Sequence, residues 1–488
     1  MTVAPILVWF RNDLRLADQP ALHQAAAEGL PVLPLYVLDD TAAGPWRIGG
    51  ASRWWLHHSL DALKTDLQLM GSDLVLRRGD TVEIIAEIAN QAGAARVYCS
   101  QQFEPWACAL EQRLHDALAG DGITLRRFSG SLLHTPEAVR TKAGQPFQVY
   151  TPFWRALCAT EIRTVRPAPS SLPAPAAWPE SEALKDWRLL PAAPDWAGGL
   201  RETWQPGEVR ARQKLDAFIE SSAAAYHVDR DFPSQAGTSK LSPHLHFGEI
   251  SPAMCWHAAQ AKAAESPAAA EGLEVFRKEL AWREFSYHLL YHRPDLPDQP
   301  FRAQFARFPW QAPDETRATR LNVWQRGKTG YPIVDAGMRE LWTTGWMHNR
   351  VRMIVASFLT KHMLIPWQEG EAWFWDCLVD ADLASNAASW QWVSGCGADA
   401  APYFRIFNPM TQGQKFDPKG VYVRRWVPEI AAIPDKYIHT PWSCPEDILS
   451  HCDIKIGLTY PPPIVDHKVG RERALAAYES IRLSVSQS

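Results

Sequence analysis

Over the first 135 residues, short apolar runs alternate with stretches whose apolar positions recur every three to four residues. "ILVWF" (6–10) reads as a buried strand. "DQPALHQAAAEG" follows as a helix that Asp18 can cap, with Pro20 in its first turn. "LPVLPLYVL" (30–38) is a second strand, and "SRWWLHHSLDALKTDLQLMG" (52–71) an amphipathic helix ending at Gly71. The pattern continues through "DLVLRRG", a helix over 81–92, "ARVYCS", a helix over 105–120 and "ITLRRF". Five strands alternating with four helices predict an α/β domain with a doubly wound parallel sheet over 1–135. Its ligand crevice is expected at the carboxyl ends of the strands.

From about residue 207 the periodicity is helical. "GEVRARQKLDAFIESSAAAY" repeats near 3.6, and similar patterns fill 270–292, 331–364 and 370–380. A large all-α C-terminal domain over 207–488 is the expectation, with room for a bulky cofactor. Between the two, "RTVRPAPSSLPAPAAWPESEALKDWRLLPAAPDWAGG" is proline-rich and poor in strand formers, which places an inter-domain linker over 136–206.

The totals, 46% hydrophobic and 21% charged, are ordinary globular values. The 23 tryptophans are not. They read either as packing for large helices or as stacking and redox-active side chains around a cofactor. A formal net charge of −4 excludes a generally basic nucleic-acid binder, so DNA contact would need a local patch. Arg326, Lys328, Arg339, Arg350 and Arg352, against Asp335 and Glu340, offer one, although such a run is by default a solvated face. The eight cysteines form no CxxC pair and no zinc spacing, which predicts free thiols in a reducing cytoplasm and no metal site. The N-terminus shows no leader pattern and no run approaches a membrane span, so a cytoplasmic protein without membrane attachment is expected.

Candidate chemistry falls in a few stretches. In "RKELAWREFSYHLLYH", Glu279, Trp282 and Arg283 share a helical face and suit a ligand with a π face and a polar edge. By spacing alone the ordinary reading is a surface Glu–Arg pair beside a core Trp. In "TTGWMHNRVRM", Trp346, Asn349, Arg352 and Met353 fall on one side in the same way. In "DCLVDADLASNAASW", Asp380 and Asp382 stand two apart, and Asp382, Asn386 and Trp390 follow at i+4 steps. Two buried carboxylates would need a partner such as Arg352 or a ligand hydroxyl. His244 and His246 read as structural histidines. Thr238, Ser239 and Ser242 with Lys240, after Gly237, make the best phosphate candidate, with a Ser/Thr helix cap as its plain alternative. No GxGxxG follows the first strand. "QRGKTG" (325–330) is rejected as a P-loop because Asn322 holds the place of the first glycine.

Taken in order, "VWFRNDLRLADQPAL", "GTSKLSPHL", "ELAWREF", "KTGYPIVDAGMRELWTTGWMHNRVRM" and "SWQWVSGCGADAAPYFRIFNP" resemble the signatures of the photolyase/cryptochrome family across nearly the whole chain. The resemblance implies an N-terminal antenna domain and a helical C-terminal domain that binds FAD. Trp390, Trp367 and Trp310 match an electron-transfer chain leading outward from the flavin. Tyr226, Thr238, Ser239, Lys240, Leu241 and Ser242 match the segment around the FAD phosphates. Arg283, Arg352, Asp380 and Asp382 match the surroundings of the isoalloxazine and ribityl, and Asn386 the residue facing flavin N5, where repair members carry asparagine.

Glu279, Trp282, Asn349, Met353 and Trp392 match the site that receives a cyclobutane pyrimidine dimer, with Arg350 at the DNA. "MHNRVRM" lacks the His pair of (6-4) repair enzymes, which favours the cyclobutane substrate. The family mechanism is one-electron donation from light-excited reduced FAD to the dimer, ring splitting and return of the electron. DNA containing pyrimidine dimers is the implied partner, and a monomer the implied state. "FEPWACALE" stands where bacterial relatives place Asn-Glu against a folate, and "LSPHLHFGE" and "GGLRETWQPGE" resemble the branch nearer plant cryptochromes. The expected antenna is 5,10-methenyltetrahydrofolate. A cryptochrome-like blue-light sensor with the same flavin and tryptophans is the alternative, disfavoured by Asn386 and the dimer-site residues. A flavin oxidoreductase is a third reading that lacks a nicotinamide motif.

Overall fold

A computed structural model describes residues 3–400 and 404–485, so 401–403 of the last signature lie outside the described residues. The chain forms two compact units. One comprises Met1–Ala224, Ser239–Pro294 and Val379–Ala384; the other comprises Ala225–Thr238, Asp295–Leu378 and Ser385–Ser488.

The first unit is built on five strands, β1 (Ile6–Phe10), β2 (Val32–Leu38), β3 (Val75–Arg78), β4 (Arg96–Ser100) and β5 (Thr124–Phe128). Their order is β3-β2-β1-β4-β5 and every adjacent pair is parallel. Helices α1 (Pro20–Ala27), α2 (Gly50–Leu69), α3 (Thr81–Ala92) and α4 (Pro105–Gly120) make the crossovers. Every residue of β1 and β2 is buried, which is why both read as unbroken apolar runs rather than alternating ones.

The cap of α1 differs from expectation. Gln19, not Asp18, accepts the Leu22 N–H, at 2.8 Å. Asp18 lies in the left-handed region at φ 55° and is wholly buried, accepting from Ser251 Oγ and, at 2.7 Å, from Arg163 Nη2. A carboxylate so engaged leaves the cap to its neighbour.

Strand order reverses at β1, so a crevice is expected between the carboxyl ends of β1 and β4. The chain's own polar groups bond to one another there. Asp13 Oδ2 accepts from Gln19 Nε2 at 2.8 Å and Ser100 Oγ at 2.6 Å, and Arg11 Nη2 donates to Glu111 Oε1 at 2.6 Å.

The proline-rich stretch lies along the sheet. Pro173 O accepts from Val32 N at 2.8 Å, Ser181 Oγ accepts from Leu76 N at 3.0 Å, and Glu182 N donates to Leu76 O at 2.8 Å. Trp187 and Leu172 are buried, and the stretch covers edge strand β3. The same unit contains the helices Pro252–Glu265 and Ala270–His292. Gly272 lies where a Cβ would strike the Ala223 carbonyl.

The second unit is helical. The run over 331–364 does not form one helix but divides into Pro332–Thr344 and Asn349–Ser357, followed by a π turn at Phe358–His362. Gly345, at φ 66°, ends the first with a left-handed turn, and His348 caps the second by accepting from Arg350 N at 3.2 Å. Trp346 therefore lies between helices and not on the Asn349 face, as the sequence had suggested. Helices Trp367–Cys377 and Leu383–Ser394 carry the tryptophan positions 367, 390 and 392.

Candidate active site

In the first unit, helix Ala270–His292 turns one side toward the core and presents Glu279, Trp282 and Arg283 half-buried on the other. Trp282 stacks on Tyr150 with ring centroids 3.7 Å apart and planes 4° from parallel, so one face of the indole is fixed. Tyr150 is anchored in turn by its hydroxyl, which donates to Lys278 O at 2.7 Å. Arg283 Nη1 donates to Ser131 O at 3.0 Å, and Glu284 Oε2 accepts from Leu133 N at 2.9 Å. Burial pushes the Glu284 carboxyl up to about 7 against the opposing pull of Arg283. Ser239, Lys240, Leu241 and Ser242 lie in one tight turn. Lys240 is at φ 50° and Leu241 N donates to Ser239 Oγ at 3.4 Å, immediately before the short helix Ser242–His246.

Asp380 and Asp382 are both buried in this unit. Asp382 immediately precedes the helix Leu383–Ser394, and its surroundings explain how it keeps a charge. Tyr287 Oη donates to its Oδ2 at 2.5 Å, and His246 Nδ1 stands 4.0 Å from the same oxygen. Burial alone would raise this carboxyl. His246, the Arg283 charge and the Tyr287 hydrogen bond outweigh that and hold it well below the usual carboxylate range. His244, by contrast, bonds Glu249 and is structural. Tyr287 and His246 escaped selection as site residues, because each meets Asp382 across a long sequence gap.

In the second unit, Tyr226 is buried with Arg230 over its ring at 5.5 Å, and Gly237 packs so closely on the Asp229 backbone that no side chain fits before Thr238. Asn349 is exposed on the first turn of its helix, with Met353 half-buried one turn on. Arg350 Nη2 pairs with Asp231 at 2.7 Å, and its guanidinium lies 4.3 Å from the Phe416 ring centre. Arg352 Nε donates to Met347 O at 2.7 Å. Arg350, Arg405, Lys415 and Arg471 line a groove of about 540 Å³.

Trp390 is buried, with Phe374 at 5.0 Å and Trp324 at 6.3 Å between ring centroids. A Cβ on Gly370 would overlap its ring. Trp324 was not singled out from the sequence, where it looks like any core tryptophan. Trp367 is buried and Trp310 half-buried, the latter 4.4 Å from Phe308. Asn386 is buried one turn before Trp390, and its Nδ2 donates to Glu371 O at 3.0 Å, which fixes the carboxamide. Trp392 is half-buried and its Nε1 donates to Asp399 O at 3.1 Å. Between the two indoles Gln391 is wholly buried. Its Nε2 donates to Leu296 O at 2.6 Å and Gln299 O at 2.8 Å, and its Oε1 accepts from Phe301 N at 2.7 Å. The helix carrying both tryptophans is thus tied down through the residue between them.

Two family profiles match. "DNA photolyase" covers residues 6–176, and "FAD binding domain of DNA photolyase" covers 276–480. A deoxyribodipyrimidine photo-lyase of Agrobacterium fabrum (strain C58) is 51% identical over 483 residues, covering 99% of each chain. Cryptochrome-1 of Arabidopsis thaliana is 37% identical over 94% of this chain and 68% of its own. The crystal structure of a bacterial class III photolyase from Agrobacterium tumefaciens superposes with a TM-score of 0.94 at 51% identity, covering 99% of this chain and 98% of that one.

Proposed function

Because this chain belongs to the photolyase/cryptochrome family, we propose that it acts as a deoxyribodipyrimidine photo-lyase, an enzyme that uses light to repair cyclobutane pyrimidine dimers in DNA. Full-length agreement with a photo-lyase, through both matched segments, carries this reading.

The residues present fit FAD. In the first unit His246 Nδ1 and Glu284 Oε1 are buried without a protein hydrogen bond; in the second, Trp390 Nε1 and Arg350 Nε are so placed. Buried polar atoms seek partners, and a dinucleotide with ring nitrogens, hydroxyls and phosphates supplies many. Tyr226 and Thr238–Ser242 would hold its phosphates. Arg283, Arg352, Asp380, Asp382 and Asn386 would hold its ring and ribityl. Bound FAD in its reduced form supplies the light-driven one-electron chemistry.

The chain's own part is binding, orientation and exclusion of water. Glu279 and Asn349 would hydrogen-bond the pyrimidine edges. Trp282, stiffened by Tyr150, and Trp392, tied to Asp399, would offer flat faces, with Met353 as an adaptable apolar contact. Arg350 would meet the DNA backbone. Trp390, Trp367 and Trp310 are oxidisable indoles suited to passing an electron inward. A photo-lyase must take its lesion out of the base stack, so half-buried side chains that can stack are what the task requires.

For the antenna we propose 5,10-methenyltetrahydrofolate. Trp106, at the start of α4, is partly buried against the sheet core. No described helix is long and apolar enough to cross a membrane. For location and assembly we propose a cytoplasmic monomer, and the free cysteines agree with a reducing compartment. The assignment of the dimer site is tested with Glu279→Gln. Repair yield per absorbed photon on a thymine-dimer oligonucleotide should fall several-fold with FAD content unchanged, whereas an unchanged yield would remove Glu279 from the site.

A further inference from the structure

The cluster around Asp382 reaches further into the first unit than the flavin residues expected from the sequence. Tyr287 is buried, and its hydroxyl stands 2.5 Å from Asp382 Oδ2 and 3.4 Å from Glu104 Oε1. Glu104 is the residue before α4, also buried, and its other oxygen, Oε2, accepts the Phe103 N–H at 3.2 Å. Three acidic or phenolic groups thus lie in line, with Arg283 facing the ring of the middle one at 5.0 Å.

Hydrogen counting fixes how such a line works. The phenol has one proton, and burial with the Asp382 charge pushes its pKa far up, so it stays a phenol. Asp382 is held ionised and can only accept. The phenolic proton therefore goes to Asp382, and the phenolic oxygen can accept from Glu104 only when Glu104 is a neutral acid. Burial, assisted by the charge on Asp382, raises the Glu104 carboxyl in that direction.

We infer that Tyr287 is a positioning residue for the flavin site, its hydroxyl aiming and supporting Asp382 while Glu104, protonated, donates to the phenolic oxygen from behind. The inference rests on the reading that Asp382 belongs to the flavin site. When Glu104 ionises, two carboxylates compete for one O–H, and Asp382 loses part of its best donor. Glu104, at the start of α4 in the α/β sheet region, thereby controls how well the flavin is held. The charged and titratable groups facing this line are Arg283, His246, Glu284 and Cys108, besides its own three members.

The test is FAD binding to the apo-protein by flavin fluorescence, from about pH 5 to about pH 8. Wild-type affinity should fall several-fold as pH rises through the raised pKa of Glu104. Glu104→Gln places an amide donor where the acid proton was and cannot titrate, so its affinity should stay at the tight limit across the range. Tyr287→Phe should weaken binding by about tenfold or more at every pH, as loss of a hydrogen bond to a charged group does. Circular dichroism checks that each variant is folded. If Tyr287→Phe does not fold, the Glu104→Gln profile decides alone. A Glu104→Gln profile that tracks wild type, or a folded Tyr287→Phe that binds like wild type, would overturn the relay while leaving the flavin reading intact. Failure of the wild-type protein to bind FAD would overturn both.

Discussion

Glu284 is a carboxyl whose pKa the fold raises although an arginine stands beside it. Arg283 stands 3.6 Å away, but burial dominates and moves the pKa up to about 7. In an unfolded chain a glutamate ionises near about pH 4.3. Between about pH 4 and 7 the folded state therefore retains a proton that the unfolded state releases, and stability falls as pH rises through that window before levelling off. The whole effect is on the order of 3–4 kcal/mol. Glu284→Gln keeps an acceptor for Leu133 N and removes the titration, so denaturant unfolding at about pH 5 and about pH 8 should show the wild type losing that stability relative to the variant. Parallel profiles would contradict the assignment. At this scale the motifs point to Glu279, Asn386 and Trp390, the residues proposed above for the site. The sequence was silent on Tyr287 and Glu104, whose contacts span 95 and 183 positions and leave no local pattern.

Among the elements, helix Trp367–Cys377 shows how backbone choice serves a side chain on another helix. Gly370 costs helix stability relative to alanine, yet the Trp390 ring occupies the space its Cβ would need. Gly370→Ala should destabilise the protein by about 1–3 kcal/mol despite its better helix propensity, because the ring or the helix must shift. A thermal melt checks the sign, and a more stable variant would show that the contact is looser than described. Periodicity read helices such as α3 and α4 to their ends, since Asp80 and Gly93 bracket the first and Pro105 opens the second. It failed over 331–364, where apolar spacing runs on across Gly345 while the backbone turns. Residues 345–348 are all buried, so the apolar pattern carried no trace of the break.

For the whole molecule, the alternation of strand and helix up to residue 128 made the parallel sheet legible, and the aromatic helical texture after 207 made the second fold type legible. The grouping of contacts was not. Residues 379–384 join helix Ala270–His292 through Asp382 and Tyr287, a union that no reading along the chain would propose. Net charge behaves similarly. A total of −4 hides a groove bordered by Arg350, Arg405, Lys415 and Arg471, with Asp231 paired to Arg350, which on balance suits a phosphate backbone and would make DNA affinity fall with salt. The most direct measurement of the central claim is single-turnover repair. The FAD-loaded protein is reduced without oxygen, mixed with a thymine-dimer oligonucleotide, and assayed for restored thymine absorbance in blue light and in the dark. The account predicts dimer loss only when light and reduced flavin are both present. Intact dimers after illumination of the reduced, FAD-loaded protein would contradict it.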